Sequence, residues 1–171
     1  KSTDAGRTWL PTGVLVRDGD PHAEDPDITT DSDGNVYIVW EDWQVDTASE
    51  SVHRILCSRS SDGGTTWTAP ARVDDRPDPT KRGIGGQRIA ADSAGNLLCA
   101  WYDERMGSEG HIWSSVSTDR GATWSQNVRV CEDTTDYGCC PEDVFVQPGT
   151  NHYLVAAKVY RTRSSVSTDR G

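Results

Sequence analysis

Ser117–Trp124 reads STDRGATW, and the same pattern stands at Ser60–Trp67 as SSDGGTTW and at Ser2–Trp9 as STDAGRTW. A fourth copy, Ser167–Gly171, matches as far as its glycine. The shared form is Ser-x-Asp-x-Gly-x-Thr-Trp. Its aspartates, Asp4, Asp62, Asp119 and Asp169, recur at intervals of 58, 57 and 50 residues. The residue types suit a turn. Ser and Asp side chains accept bonds from nearby backbone N–H groups and close a tight loop. Glycine takes a positive φ at which a Cβ would clash. The tryptophan brings a large apolar surface to pack beneath the hairpin.

A second motif keeps step with the first. Asp31–Asp42 (DSDGNVYIVWED) matches Asp92–Asp103 (DSAGNLLCAWYD). Gln147–Lys158 (QPGTNHYLVAAK) takes the same place in a third unit, with Ala156 where the others have tryptophan. Asp-Gly and Ala-Gly-Asn turns before alternating or apolar runs mark hairpins. Each unit therefore reads as four short strands. In the first unit these are predicted near Pro26–Thr30, Val36–Glu41, Val52–Arg59 and Trp67–Val73. Four strands per repeat of this length predict β-propeller blades. The chain reads as a single unit with repeats near residues 18–73, 74–130 and 131–171. Residues 1–17 supply a turn and a fourth strand, Trp9–Val16, to complete a blade.

The composition fits an all-β, turn-rich fold. Only 34% of residues are hydrophobic, with 16 Gly, 8 Pro and 7 Trp, and no stretch has helical apolar periodicity. A net charge of −10 argues against nucleic acid and anionic membrane surfaces as partners. No apolar run is long enough to span a membrane. Five cysteines cannot all pair within the chain. Cys57 and Cys99 lie in apolar strands and read as buried thiols. Cys131 could close a short loop with Cys139 or Cys140 in an exported protein. His53, His111 and His152 fall at strand starts and read as structural.

The repeat resembles the Asp-box (BNR) repeat of sialidases and related propellers, across nearly the whole chain. That resemblance implies that the box joins strands three and four on the face opposite the catalytic site. Ser2, Asp4, Gly6, Trp9, Ser60, Asp62, Gly64, Trp67, Ser117, Asp119, Gly121, Trp124, Ser167, Asp169 and Gly171 are then structural turn-formers. It implies a six-bladed ring and a secreted or periplasmic location. Three blades cannot close a ring. The expectation is therefore a homodimer, two chains joined head-to-tail into six blades. The alternative is a fragment of a larger six-bladed propeller.

With the boxes on one face, the loops of the other face carry nearly all the acid. Of 27 acidic residues, only Asp4, Asp31, Asp33, Asp62, Asp92, Asp119 and Asp169 fall outside them. The resemblance implies three arginines for the sialic acid carboxylate, a Tyr–Glu nucleophile pair and an Asp acid/base. Arg88-Ile89 matches the start of the family's Arg-Ile-Pro motif, with Ala90 for the proline. Arg105 would fall near the second arginine and Glu109 near the acid/base. No third arginine and no Tyr–Glu pair is assigned. The structural alternative for both arginines is ion pairing with Asp103 and Glu104.

Asp103, Glu104 and Glu109 are the candidate acid and base for hydrolysing a neutral glycan. Trp43 and Tyr102 stand beside these loops as sugar-stacking candidates. Gly19–Asp27 (GDPHAEDPD) offers hard oxygen ligands for calcium at Asp20, Glu24 and Asp25. The expected function is a sialidase-like Asp-box module that recognises a glycan or protein at an acidic channel face. The alternative is an exo-sialidase or other glycoside hydrolase, so whether the chain is an enzyme stays open at this point.

Overall fold

A computed structural model of the chain describes residues 1–10, 13–16, 22–45, 51–78, 83–107, 110–130, 136–147 and 153–161. Ten strands run in sequence order among them. They are β1 (Ala23–Thr30), β2 (Val36–Val45), β3 (Ser51–Ser60), β4 (Ala71–Arg72), β5 (Ile84–Ala91), β6 (Leu97–Asp103), β7 (His111–Ser117), β8 (Val128–Arg129), β9 (Asp136–Val146) and β10 (Tyr153–Arg161). Neighbouring strands pair antiparallel into two four-stranded sheets, β1–β4 and β5–β8, and a two-stranded sheet, β9–β10. No helix among the described residues is long and apolar enough to cross a membrane.

The sheets stack face to face. Tyr37, Val39, Ile55, Cys57 and Val73 of the first sheet pack on Ile84, Ile89, Leu97, Cys99 and Trp101 of the second. The opposite side of the second sheet, with Ala90, Leu98, Ala100 and Ile112, packs on Val144, Val146 and Val155. Strand β6 is thus covered on both faces, which is why Leu97–Trp101 is a continuous apolar run rather than an alternating one. The Cys57 thiol lies in the first seam, where burial pushes its pKa up to about 12. It is a small apolar filler with no thiolate chemistry.

The three complete boxes close by the same bonds. In the second, the Ser60 hydroxyl donates to Asp62 Oδ1 at 2.8 Å and accepts the Gly64 N–H at 2.8 Å. Thr66 donates its N–H to Asp62 Oδ1 at 2.8 Å and its hydroxyl to Oδ2 at 2.7 Å. Gly6, Gly64 and Gly121 sit at φ of 82°, 83° and 82°, the left-handed region that the turn demands. The fourth box, Ser167–Gly171, lies outside the described residues, as does Cys131, on which the disulfide expectation rests.

Two strand predictions need correction. The fourth strands form only two ladder pairs each, where Trp67–Val73 was expected to run in full. In the first sheet Pro70 has no N–H to give to the ladder. Trp9–Val16 forms no strand where it is described, because no neighbouring strand pairs with it. Trp9 is 71% exposed as a result.

The boxes and the strand-one-to-two turns share one end of the stack. The Ser32 hydroxyl reaches the Ser93 carbonyl at 2.6 Å, and Arg120 of the third box pairs with Asp33 at 2.7 Å. The opposite end therefore carries the described flanks of the acidic loops, among them Glu24, Asp25, Asp75, Glu104 and Glu142.

Candidate functional site

At that opposite end the first strands of successive sheets lie side by side, β1 on β5 and β5 on β9. Each carries an irregularity at the same step. The register shifts between Glu24 and Asp27, between Gly85 and Arg88, and between Pro141 and Asp143. A bulge turns a strand and re-aims its side chains. Asp27, Arg88 and Asp143 are thus the first regular residues after such a shift on each strand, and β9 carries a second shift between Gly138 and Pro141. Asp27 Oδ2 accepts the Ile89 N–H at 2.9 Å, and Asp143 Oδ1 accepts the Val144 N–H at 2.8 Å. The fully buried Gln87 donates its amide to the carbonyls of Glu24 and Asp25.

Arg88 is half-buried, and its guanidinium is held by main-chain carbonyls. Nη1 donates to Gln87 O at 2.8 Å and Nε to Glu142 O at 3.3 Å. No described carboxylate lies within ion-pairing distance of it.

Arg105 is held quite differently. It donates to Asp103 Oδ2 from Nε at 2.9 Å and from Nη2 at 2.7 Å. It pairs with Asp75 at 2.5 Å, donates to Asn127 Oδ1 at 3.0 Å, and lies 4.2 Å over the Trp113 ring. Asp75 comes from the segment after β4, so this arginine ties the first sheet to the second. Asp103 is fully buried and takes Arg76 as a second cation at 3.5 Å. These charges close a seam.

Beyond the ladder core, the first sheet ends in a stack of rings. His22 lies 3.7 Å from Trp43, centroid to centroid, and His53 lies 6.2 Å from it. The indole N–H donates to Glu24 at 3.2 Å. Behind Trp43, Glu41 Oε1 lies 2.8 Å from His53 Nδ1. Burial raises the Glu41 pKa above its ordinary value, although the His53 bond opposes the rise. Its other oxygen lies against bare backbone, since a Cβ on Gly85 (φ 149°) would stand 2.6 Å from Oε2. In the second sheet the matching positions hold Tyr102 and Glu104, whose hydroxyl and carboxylate are 2.5 Å apart.

The structure therefore brings Tyr102 to Glu104 and Arg105 to Asp103, and leaves Arg88 apart from both. Glu109 and Asp20 lie outside the described residues. Among the described residues no group of three His, Cys, Asp or Glu is arranged to hold a metal ion, and Glu24 is engaged by Trp43. Sequence reasoning did not single out Glu41, and it missed the Tyr102–Glu104 bond. The spacing Tyr-x-Glu at the end of a strand carried that signal, because alternate residues of an extended chain share a face.

The BNR repeat-like domain model matches residues 1–171. The chain belongs to that family. No curated protein matches this BNR repeat-like chain in sequence. Among solved structures, a protein of unknown function from Dyadobacter fermentans aligns over 90% of the chain at 17% identity and TM-score 0.67. The Hadza microbial sialidase Hz136 aligns over 75% at 20% identity and TM-score 0.53. A mutant of the α-L-arabinofuranosidase Arb93A from Fusarium graminearum, bound to an iminosugar inhibitor, aligns over 73% at 20% identity and TM-score 0.51. At such identities the likeness is one of fold. The chain spans 48%, 29% and 36% of the lengths of these three structures.

Proposed function

We propose that this sialidase-like module recognises a glycan at the end of the stack that carries Arg88. The observation that supports it is the guanidinium itself. It is half-buried beside two carboxylate-bearing strands, anchored only by carbonyls, and keeps N–H donors without a described acceptor. Arginine in that state is a fixed fork of donors for a ligand oxygen. The Arb93A and Hz136 folds carry glycan chemistry in their own proteins, which agrees with this reading. Arg88→Ala is expected to abolish binding in a glycan-array or calorimetric titration without lowering the unfolding temperature. Unchanged binding would overturn the reading.

Glycoside hydrolysis is the second reading, and one observation favours it. Tyr102 and Glu104 form the kind of hydrogen-bonded pair used for nucleophilic attack, while Glu41 is a carboxyl biased towards its protonated form. A panel of fluorogenic glycosides tests it: turnover lost in Tyr102→Phe supports this reading, and no turnover on any glycoside removes it.

The assembled form in this proposal is a six-bladed homodimer. Ile28 on the outward face of the first sheet, and Phe145 and Leu154 on that of the third, are each more than half exposed. The facing positions in the two internal seams are packed. A second copy laid head-to-tail would cover both faces and continue the same seams. Light scattering is expected to give about twice 18.7 kDa, stable on dilution. A strict monomer would overturn this part.

A further inference from the structure

We infer that the glycan taken at Arg88 is uncharged, and that the module discriminates against sialylated and other anionic sugars. The inference rests on the glycan reading and names its ligand class. It comes from a row of charges that the bulges set at one step of three adjacent strands: carboxylate Asp27, guanidinium Arg88, carboxylate Asp143. Arg88 is the only cation on the described residues of β1, β5 and β9. The strands on either side of it carry only acids, Glu24, Asp25 and Asp27 on β1 and Glu142 and Asp143 among the described side chains of β9. Gln87, the other polar residue beside it, is neutral.

Each member of the row has bonding capacity left over. Asp27 spends Oδ2 on Ile89 and has no described partner for Oδ1. Asp143 spends Oδ1 on Val144. Arg88 spends one N–H of Nη1 and that of Nε on carbonyls. The row therefore reads acceptor, donor, acceptor. A hydroxyl both donates and accepts, so neighbouring hydroxyls on a sugar ring satisfy such a row without bringing charge into it. A carboxylate on the ligand can use only the guanidinium. It must also lie against acids that repel it. Burial is the main cause of the raised Glu41 pKa, and the nearby charges of Glu24 and Asp25 add to it.

The test uses matched pairs: N-acetyllactosamine against its sialylated form, with arabino-oligosaccharides as a second uncharged probe. These are titrated against the full chain by calorimetry or saturation-transfer NMR. The uncharged sugars are expected to bind, with the sialylated partner at least about tenfold weaker. The double variant Asp27→Asn with Asp143→Asn should narrow that gap several-fold, since the amides keep shape and remove repulsion. Unfolding temperatures check that the variants fold. Sialylated binding equal to or tighter than the neutral sugar's would overturn the inference and leave the glycan reading standing. So would a gap that the folded double variant leaves unchanged. Binding of neither class would instead remove the glycan reading, and the ligand class with it.

Discussion

Trp40–Gln44 and Trp101–Arg105 occupy the same steps of the second strand in the first and second sheets, WEDWQ against WYDER. Both aspartates are buried, Asp42 at 2% and Asp103 at 0% exposure. Their surroundings differ. Arg105 folds back on Asp103, reaches Asp75 and lies over Trp113, whereas the first sheet offers Gln44 and Leu56 at the matching positions. One motif thus carries an inter-sheet tie in one copy and a neutral amide in the other. An arginine's place in the motif does not decide its work. What decides it is whether a buried carboxylate stands within reach. Arg105 has one and Arg88 has none, so only Arg88 keeps donors for a ligand.

The comparison breaks most clearly at the tie. Arg105→Ala leaves the buried Asp103 with Arg76 at 3.5 Å as its remaining cation and takes the cation from Asp75. Truncating one partner of a buried pair typically costs about 3 kcal/mol or more. A loss of that size in denaturant midpoint is expected, while Gln44→Ala should cost only a fraction of it. Equal losses would mean that the seam does not depend on the charge.

The boxes give the next test. Ser2–Trp9 and Ser117–Trp124 make the same turn bonds, yet Trp124 packs on the first seam and Trp9 is 71% exposed. Trp124→Ala should cost about 2 kcal/mol, discounted from full burial because the ring is only partly covered. Trp9→Ala should stay within about 0.5 kcal/mol. Comparable effects would show that the tryptophan serves its own turn rather than the seam.

Charge within the box sharpens this further. The Thr123 hydroxyl and N–H, then Ser117, hold the Asp119 pKa below its ordinary value of 3.8. A carboxylate with a depressed folded pKa adds stability that is fully present above its unfolded value and is lost as pH falls through the folded one. Asp119→Asn should therefore lower the unfolding temperature at neutral pH, with a loss of about 1 kcal/mol after solvent screening. The gap from the parent chain should close as pH drops below 3.8. A pH-independent gap would put the effect on shape alone.

How far the sequence could be read follows from the same contrast. The boxes were legible because every bond they make is local: Ser, Asp, Gly and Thr within one turn satisfy one another. The second and third strands were legible from hydrophobic pattern. The fourth strands were overextended, since Pro70 and the short ladders depend on a partner that pattern does not show. The site was less legible. Arg105 meeting Asp75 depends on how two sheets stack, at a separation of 30 residues. The bulges that align Asp27, Arg88 and Asp143 depend on register, which a one-residue slip would reverse. Two contacts were local enough to find, the Arg105–Asp103 pair, which was the structural alternative for that arginine, and the Tyr102–Glu104 bond.

The smallest expected effect is at Glu41, and its sign is the informative part. Burial raises the folded pKa above the ordinary 4.5, so the charged form is disfavoured in the folded state. Stability linked to this group is full below the unfolded value and falls as pH rises through the folded one. Glu41→Gln cannot ionise, so it escapes that loss but gives up a charged acceptor for His53. Near pH 4 the variant should match or slightly trail the parent chain. Towards neutral pH it should gain on it by a few tenths of a kcal/mol, seen as converging or crossing unfolding temperatures. A variant that instead loses ground as pH rises would mean that the His53 bond outweighs burial, and that Glu41 is held as the carboxylate. The first sheet would then carry an ion pair at the step where the second carries Tyr102. Hydrolysis by a protonated Glu41 would lose its support, and recognition through Arg88 would not be touched.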